Sequence, residues 1–405
     1  MNSAVLNCSP SVQLSESQAT DFYVILPPVE FSEGFSVTVV DSESNESVFK
    51  SAKQSKIARS VVLNMPELAL PEPEKPEVTG NLDAAGTANS YIVSDPGSYH
   101  FPAVKGNTDV SVGEVEDAVV LWESYGNSDY MGAGSVITNV KYSDGRIYFD
   151  TPKRFHLGNA VIAARDAAGK ILWSWHIWVT DYPTSQVYNN GAGVLMDRNL
   201  GATSIDAGSP TSFGLLYQWG RKDPFLNSYR IDASEYASST ITWPEPVLSS
   251  AETGTVEYTI QNPTTYIKTH VSTPPYDWHY GTRNDGLWAS QKTVYDPCPA
   301  GWRVPDGGSK GVWKVSGVTD FVFSEYYGFE FPISDPATSW YPASGFISYE
   351  GVLSLHGEYG FYWSVTPEPS TQWSYYMSIG LEGARLSGIN DRSYAYSVRC
   401  CQISE

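Results

Sequence analysis

One long alternating segment near the middle of the chain constrains its fold more than any other feature. Residues 171–179 read Ile-Leu-Trp-Ser-Trp-His-Ile-Trp-Val. Because side chains alternate across an extended strand, Trp173 and Trp175 share one face with apolar neighbours. His176 and Trp178 share the other face, which is mixed in polarity. The pattern predicts a strand with one core face. It favours core packing of these tryptophans over the alternative, a sugar-binding platform.

Hairpin signals around this strand make residues 84–183 a candidate β-sandwich. Asp144-Gly145 separates two alternating runs, and this dipeptide supplies the positive φ angles that a two-residue turn needs. A second hairpin joins residues 159–164 to the tryptophan-rich strand through residues 165–170. About 100 residues with this density of hairpins are typical of an immunoglobulin-like sandwich.

The composition agrees with a turn-rich β protein. The 405 residues include 34 Gly, 26 Pro, 13 Trp and 27 Tyr. A formal net charge of −20 argues against nucleic acid and anionic membrane surfaces as partners, because both attract cationic proteins. No run reaches the roughly 18 consecutive apolar residues that a transmembrane helix needs, so we expect no membrane insertion.

The chain before residue 84 changes character twice. Residues 1–66 contain alternating runs, such as Phe-Ser-Val-Thr-Val-Val at 35–40, and are predicted to be the end of an N-terminal β domain. Residues 67–83 include Pro-Glu-Pro-Glu-Lys-Pro, which favours an extended, semi-rigid linker. Residues 1–30 show no signal peptide, which leaves open a cytosolic chain or one whose signal has been removed.

Residues 184–405 are predicted to form a mixed domain with little regular pattern. Residues 209–219 predict a helix, with Ser209 as its N-cap and Pro210 at the first helical position. Residues 221–295 are loop-like, and short aromatic strands return near the end of the chain. Long irregular segments inside a domain are usually functional or disordered.

Six phrases follow one another in this last region. They occupy residues 196–203, 217–224, 296–305, 341–345, 362–364 and 396–400. In this order they resemble the Fibrobacter succinogenes major paralogous domain. The resemblance implies a fold related to C-type lectins and to formylglycine-generating enzymes. It also implies a disulfide between Cys298 and a terminal cysteine. The predicted fold class is therefore mainly β and multidomain, with β-sandwich modules followed by an α+β, C-type-lectin-like domain.

Two upstream segments carry a further resemblance. Residues 88–107 and 158–178 resemble a module that precedes this domain in Bacteroides surface proteins, and residues 1–66 resemble the end of a fimbrillin-type domain. Together they imply an exported fimbrial tip or accessory subunit at the cell surface, with other fimbrial subunits as partners. The implied function is a non-enzymatic adhesin for a glycan or a host or bacterial surface protein. A surface glycan-binding protein of a polysaccharide-uptake system is the alternative.

Cysteine usage bears on a third alternative, a cysteine-dependent enzyme of the formylglycine-generating type. The four cysteines allow three fully paired connectivities, and adjacent cysteines such as Cys400 and Cys401 rarely bond each other. With the resemblance, Cys298–Cys400 is the preferred pair, although either terminal cysteine remains open. Such a bond implies an oxidising compartment, whereas the enzyme would require two reactive thiols.

Motifs for catalysis and metal binding are missing from the sequence. It contains no His-Glu-x-x-His, no phosphate-binding loop and no dinucleotide fingerprint. Calcium requires six to eight oxygen ligands, and strings such as Asn390-Asp391 do not reproduce the set that calcium-binding lectins use. We therefore expect a non-enzyme without cofactor or metal, and calcium stays open as an unsupported alternative.

The strongest candidate for ligand binding is the segment 274–288. It combines aromatic faces with planar polar groups, which together suit sugar rings and their hydroxyls. The candidate ligand-binding residues are Tyr276, Trp278, His279, Tyr280, Asn284, Asp285 and Trp288. In the alternative interpretation, Trp278 and Trp288 only pin the loop to its domain.

Overall fold

The chain divides into two compact units, Met1–Lys75 and Pro76–Glu405. The structure, a computed structural model, describes residues 6, 22–40, 46–51, 54–59, 78–270, 276–319, 323–334 and 336–403. Cys8 and the proline-rich phrase at 71–76 lie outside these ranges. The fold is mainly β, as the sequence predicts. Within the described ranges, no helix is both long and apolar enough to cross a membrane.

The described residues of the first unit form two separate two-stranded sheets. Its strands are β1 (Val29–Phe31), β2 (Phe35–Val40), β3 (Glu46–Ser51) and β4 (Ser55–Ile57). β1 pairs antiparallel with β4, and β2 pairs antiparallel with β3. Residues of β2 alternate between half-buried and exposed, which confirms the strand predicted at 35–40.

The second unit begins with two four-stranded sheets. Their strands are β5 (Val78–Asn81), β6 (Ser90–Val93), β7 (Ser98–Pro102), β8 (Asp117–Ser124), β9 (Thr138–Ser143), β10 (Arg146–Asp150), β11 (Gly158–Arg165) and β12 (Ile171–Val179). One sheet has the order β5-β7-β10-β9 and the other the order β6-β12-β11-β8. Rings such as Phe101, Phe149 and Trp175 fill the space between the sheets.

Turn chemistry positions these strands as the sequence predicts, with one difference. Asp144 and Gly145 adopt φ angles of 50° and 77° between β9 and β10. The difference concerns β5, which lies inside the segment 67–83 predicted to be a linker. It pairs in parallel with β7, and Gly80 permits the close approach, since a Cβ there would lie 2.7 Å from the ring of Tyr99.

Residues 185–402 form the remainder of the second unit. The strands are β13 (Ser185–Tyr188), β14 (Gly193–Met196), β15 (Leu216–Gln218), β16 (Val247–Leu248), β17 (Ile267–Lys268), β18 (Trp302–Arg303), β19 (Phe323–Ser324), β20 (Gly328–Ser334), β21 (Ala337–Pro342), β22 (Ser344–Ile347), β23 (Leu353–His356), β24 (Tyr359–Pro367), β25 (Trp373–Gly380), β26 (Gly383–Asp391), β27 (Ala395–Ser397) and β28 (Cys401–Gln402). The helices are α1 (Val256–Gln261) and α2 (Val312–Val315), with 3-10 turns at Asn189–Gly191, Pro210–Ser212 and Gly308–Lys310. The largest sheet has the order β15-β27-β22-β24-β25-β26, with β23 paired to β22.

The helix predicted at 209–219 is wrong beyond its first turn. Ser209 caps that turn as expected, because its Oγ accepts a hydrogen bond from the N–H of Thr211 at 3.3 Å. Gly214 then adopts a φ of 72°, and a Cβ there would lie 2.6 Å from the carbonyl oxygen of Leu200. The following residues form β15, which pairs with β27. Strand pairing therefore overrides the local helix signal.

Strand β12 is buried on both faces. Trp173 and Trp175 belong to the core between the two four-stranded sheets. Trp178 belongs to a second core that it shares with Trp219 and other residues of the segment 185–402. Its indole N–H donates a hydrogen bond to the carbonyl of Ala202 at 2.9 Å. The tryptophan-rich strand is thus a core element, not a sugar platform, and it joins the sandwich to the rest of the unit.

Candidate functional site

A disulfide closes the region that contains the candidate site. Cys298 and Cys400 are bonded, with their Cα atoms 5.9 Å apart and 102 positions between them in the sequence. The buried carboxylate of Asp296 accepts hydrogen bonds from the N–H groups of Cys298 and Val304, at 2.9 and 3.0 Å. The bond confirms the preferred pairing. The two hydrogen bonds to Asp296 hold the backbone around Cys298 in place.

The remaining terminal cysteine is buried and chemically quiet. Cys401 is the free cysteine within the described ranges, and burial raises the pKa of its thiol to about 12. A nucleophilic cysteine needs a lowered pKa and access to solvent. Because Cys400 is held in the disulfide, this end of the chain does not present the two reactive thiols that a formylglycine-type enzyme requires.

Two of the seven predicted ligand-binding residues lie in the core. Trp278 and Trp288 are fully buried. The indole N–H of Trp278 donates to the carbonyl of Trp219 at 2.7 Å, and that of Trp288 donates to the carbonyl of Tyr295 at 2.9 Å. Their ring faces are therefore not available for stacking on a ligand, which corrects the stacking role expected of them. They anchor the loop, as the alternative interpretation has it.

The other five predicted residues reach the surface of the same loop. Tyr280 is 48% exposed, and Asp285 is also exposed. Tyr276, His279 and Asn284 are half-buried. Residues 274 and 275 of the predicted segment lie outside the described ranges. The loop thus presents two tyrosine rings and several polar groups beside two anchoring tryptophans.

A buried arginine that the sequence did not reveal holds this loop in place. Arg392, at the end of β26, donates from Nη2 to a carboxylate oxygen of Asp285 at 2.5 Å. Its Nη1 lies 3.6 Å from the buried carboxylate of Asp277. Its backbone N–H also donates to the carbonyl of Tyr276 at 3.1 Å. Arg392 is more than 100 positions from the loop, so no local signal links the two.

Burial and the neighbouring arginines shift the pKa values of the two carboxyl groups in this network in opposite directions. Burial raises the pKa of Asp277 to about 7, against the lowering effect of Arg392. Burial also acts to raise the pKa of Asp285, but hydrogen bonds from Arg283 and Arg392 outweigh it and hold that pKa below its usual value. Burial lowers the pKa of His279. The positive charge of Arg392 therefore offsets the negative charges of Asp277 and Asp285. His279, in the same loop, is neutral at pH 7.

Elsewhere in the second unit, three hydrogen-bonded polar residues are arranged like a catalytic nucleophile and its general base. The hydroxyl of Ser234 lies 3.0 Å from Nδ1 of His356, whose Nε2 lies 2.7 Å from Oδ1 of Asn227. Burial lowers the pKa of His356 to about 3. A general base works best when its pKa is near the working pH, and neutral Asn227 does not stabilise an imidazolium. These contacts therefore tether a loop and do not prepare Ser234 for attack.

Neither metal clusters nor known relatives add to this site. Within the part of the chain that the structure describes, no three His, Cys, Asp or Glu side chains are grouped so that they could hold a metal ion. Comparisons of the chain with protein-family models, curated proteins and solved structures find no significant match. The fimbrial and lectin-like relationships that the sequence phrases suggest therefore stay predictions.

Proposed function

We propose that this chain is a non-enzymatic cell-surface adhesin, a fimbrial tip or accessory subunit, that binds a glycan or protein through the loop 276–288. The observation that carries the proposal is how this loop is anchored. Trp278 and Trp288 fix it from below, and Arg392 holds it from the side. Tyr280 and Asn284 are consequently displayed with restricted freedom, and a pre-organised surface loses less entropy on binding.

Two observations support binding over catalysis. The Ser234–His356–Asn227 chain has a weakly basic histidine, and Cys400 is engaged in a disulfide. A glycan-capturing role in polysaccharide uptake would use the same loop, and gene neighbourhood distinguishes it from a fimbrial role. Export to the cell surface belongs to the same proposal, supported by the disulfide, since such bonds persist in oxidising compartments.

A glycan array probed with the whole chain tests the proposal. The whole chain is needed because residues 185–402 share a core with the sandwich through Trp178. We expect saturable binding that Tyr280→Ala weakens about tenfold or more, which corresponds to about 1.4 kcal/mol. The matched control is Tyr182→Ala, which removes a ring that is 62% exposed and lies outside the loop.

The array is read with calcium and with a chelator. Equal binding under both conditions would support a site without metal. Calcium-dependent binding would support a calcium site, which the sequence leaves open. An array with no bound glycan under either condition would contradict the glycan ligand. A protein ligand would then be the remaining form of the proposal.

A further inference from the structure

A continuous row of half-buried aromatic rings crosses the largest sheet of the second unit. We name it the aromatic row, and its members, in spatial order, are Tyr359, Phe361, Phe346, Tyr394 and Tyr349. Consecutive ring centroids lie 6.0, 5.1, 5.4 and 5.6 Å apart. Each of the five rings keeps part of its surface exposed, and together they form a contiguous aromatic strip that a ligand can contact.

Buried rings beneath the row hold it rigid. Tyr396 lies 4.9 Å from Phe361, centroid to centroid, and stacks on Trp363 at 4.3 Å. Tyr376 lies 5.7 Å from Phe361. All three supporting rings are buried. Phe346 and Phe361 stand on strands β22 and β24 and also contact this second layer, so they lose little further freedom when a ligand covers them.

Polar groups with acidic character border the row. The amide of Asn390 donates a hydrogen bond to the hydroxyl of Tyr396. Burial raises the pKa of Asp391 to about 6, so this carboxyl is mostly ionised at pH 7. Burial, followed by the charge of Asp391 and a smaller effect of Glu350, raises the pKa of Tyr394 to about 12. The border therefore combines hydroxyl, amide and carboxylate groups close to apolar rings.

The row adjoins the loop of the proposed function. Arg392 lies between Asp391 and Tyr394 in the sequence, and its backbone N–H donates to the carbonyl of Tyr276 in the loop. At another point of the row, the N–H of Thr269 donates to the carbonyl of Tyr349 at 3.0 Å. The loop and the row are thus linked through the buried backbone of residues 392 and 393.

We propose that the aromatic row binds an extended, neutral oligosaccharide, with successive pyranose rings lying along it and the loop contacting one end. The C–H faces of sugars pack on aromatic rings, while their hydroxyls bond to phenol, amide and carboxylate groups. Neighbouring rings are tilted by 31° to 88° relative to one another, so the row offers both ring faces and ring edges to successive sugar units. The bordering carboxylates disfavour sialylated and sulfated chains, because like charges repel. This inference rests on the proposed function and narrows its ligand to a neutral glycan chain.

The test is the dependence of affinity on glycan length. The whole chain is first applied to a printed array of neutral, sialylated and sulfated glycans. Calorimetry then compares the monosaccharide to the hexasaccharide of the neutral glycan that binds. We expect affinity to rise with each added unit and to level off near the length of the row. Tyr349→Ala and Tyr359→Ala remove its two ends, and each weakens binding of the longest glycan about tenfold, or about 1.4 kcal/mol.

Two further variants guard against effects on folding. Tyr394→Phe keeps the ring in the middle of the row and removes only its hydroxyl, and we expect a loss of a few-fold. Tyr130→Ala removes a ring that is 94% exposed in the sandwich region, and it should leave the affinity unchanged.

The outcomes separate the two proposals. An array with no bound glycan overturns the glycan ligand altogether, and this inference with it. If the wild-type chain binds a glycan but a monosaccharide binds as tightly as the hexasaccharide, only the proposed role of the aromatic row is overturned. The same holds if Tyr349→Ala, Tyr359→Ala and Tyr394→Phe all keep the wild-type affinity, or if only sialylated or sulfated glycans bind.

Discussion

The guanidinium carbon of Arg392 lies 3.9 Å from the ring centroid of Trp219, and both side chains are fully buried. A buried cation is stable only when paired charges and hydrogen bonds replace its water. Here the indole face, two carboxylates and the hydroxyl of Ser374 surround it. The candidate loop is therefore attached to the core through a desolvated cation as well as through Trp278 and Trp288.

Replacing this cation should destabilise the second unit strongly. In Arg392→Met the carboxylate of Asp277 stays buried without its partner, and we expect the free energy of unfolding to fall by about 3–5 kcal/mol. Urea denaturation measures the change. Arg230→Met is the matched control, because its ion pair with Asp232 is solvent-exposed and should contribute little to stability. Equal losses in the two variants would contradict the role of Arg392.

Removing the disulfide should also lower stability. The closed segment spans 102 positions, so loop entropy predicts that Cys298→Ser combined with Cys400→Ser costs about 4–5 kcal/mol. Chemical denaturation of the oxidised protein and the double variant gives the difference. Cys401→Ala is the control, since that cysteine forms no disulfide and its loss removes only one small side chain. An unchanged denaturation midpoint in the double variant would refute this expectation.

Acid should destabilise the second unit through two buried histidines. His176 lies between Ser90 and Asn159, and burial lowers its pKa to about 3, as it does for His356. Below pH 6.5 the unfolded chain binds protons at these residues while the folded chain does not. The free energy of unfolding therefore falls as the pH falls from 6.5 towards 3, by up to about 1.4 kcal/mol per pH unit for each histidine.

The experiment is urea denaturation at a series of buffer pH values from about 7.5 to about 5. His176→Gln should have a shallower dependence on pH than the wild type, whatever its absolute stability. His270→Gln changes an exposed histidine and should keep the wild-type slope. Parallel slopes for wild type and His176→Gln would show that folding does not change the pKa of His176.

The shared core predicts that the sandwich and the segment 185–402 unfold together. Trp178→Ala should cost about 3–5 kcal/mol, because a large buried side chain is lost at their junction. Tyr182→Ala, a few residues away but exposed, should change stability by about 0.5 kcal/mol or less. Calorimetry should show one transition for both regions in the wild type. Separate transitions, with only one of them sensitive to Trp178→Ala, would contradict a common core.

Local patterns predicted those parts of the fold that local chemistry determines. Alternation identified β12, and Asp144-Gly145 identified the turn before β10. Ser209 identified a capped turn correctly, but the length of the helix was wrong because β15 gains more from pairing with β27. Local patterns do not reveal what covers the second face of β12, because the residues of the segment 185–402 that pack on it are distant in sequence.

The candidate site was predicted in part for the same reason. The loop 276–288 was identified by its aromatic and polar composition, but composition does not tell an anchoring tryptophan from an exposed one. Trp278 is buried and Tyr280 is exposed, two positions apart. Arg392 and the aromatic row depend on strands brought together by the fold, so neither appears as a motif.

The disulfide also determines how the second unit responds to a pulling force. All five residues of the aromatic row lie between Cys298 and Cys400, so tension applied to the two ends of the chain crosses the bond and bypasses the row. The 102 positions between the cysteines would otherwise release about 350 Å of extended chain. With the bond intact that length is withheld, and strands β22 and β24, which carry three rings of the row, lie outside the path of the load.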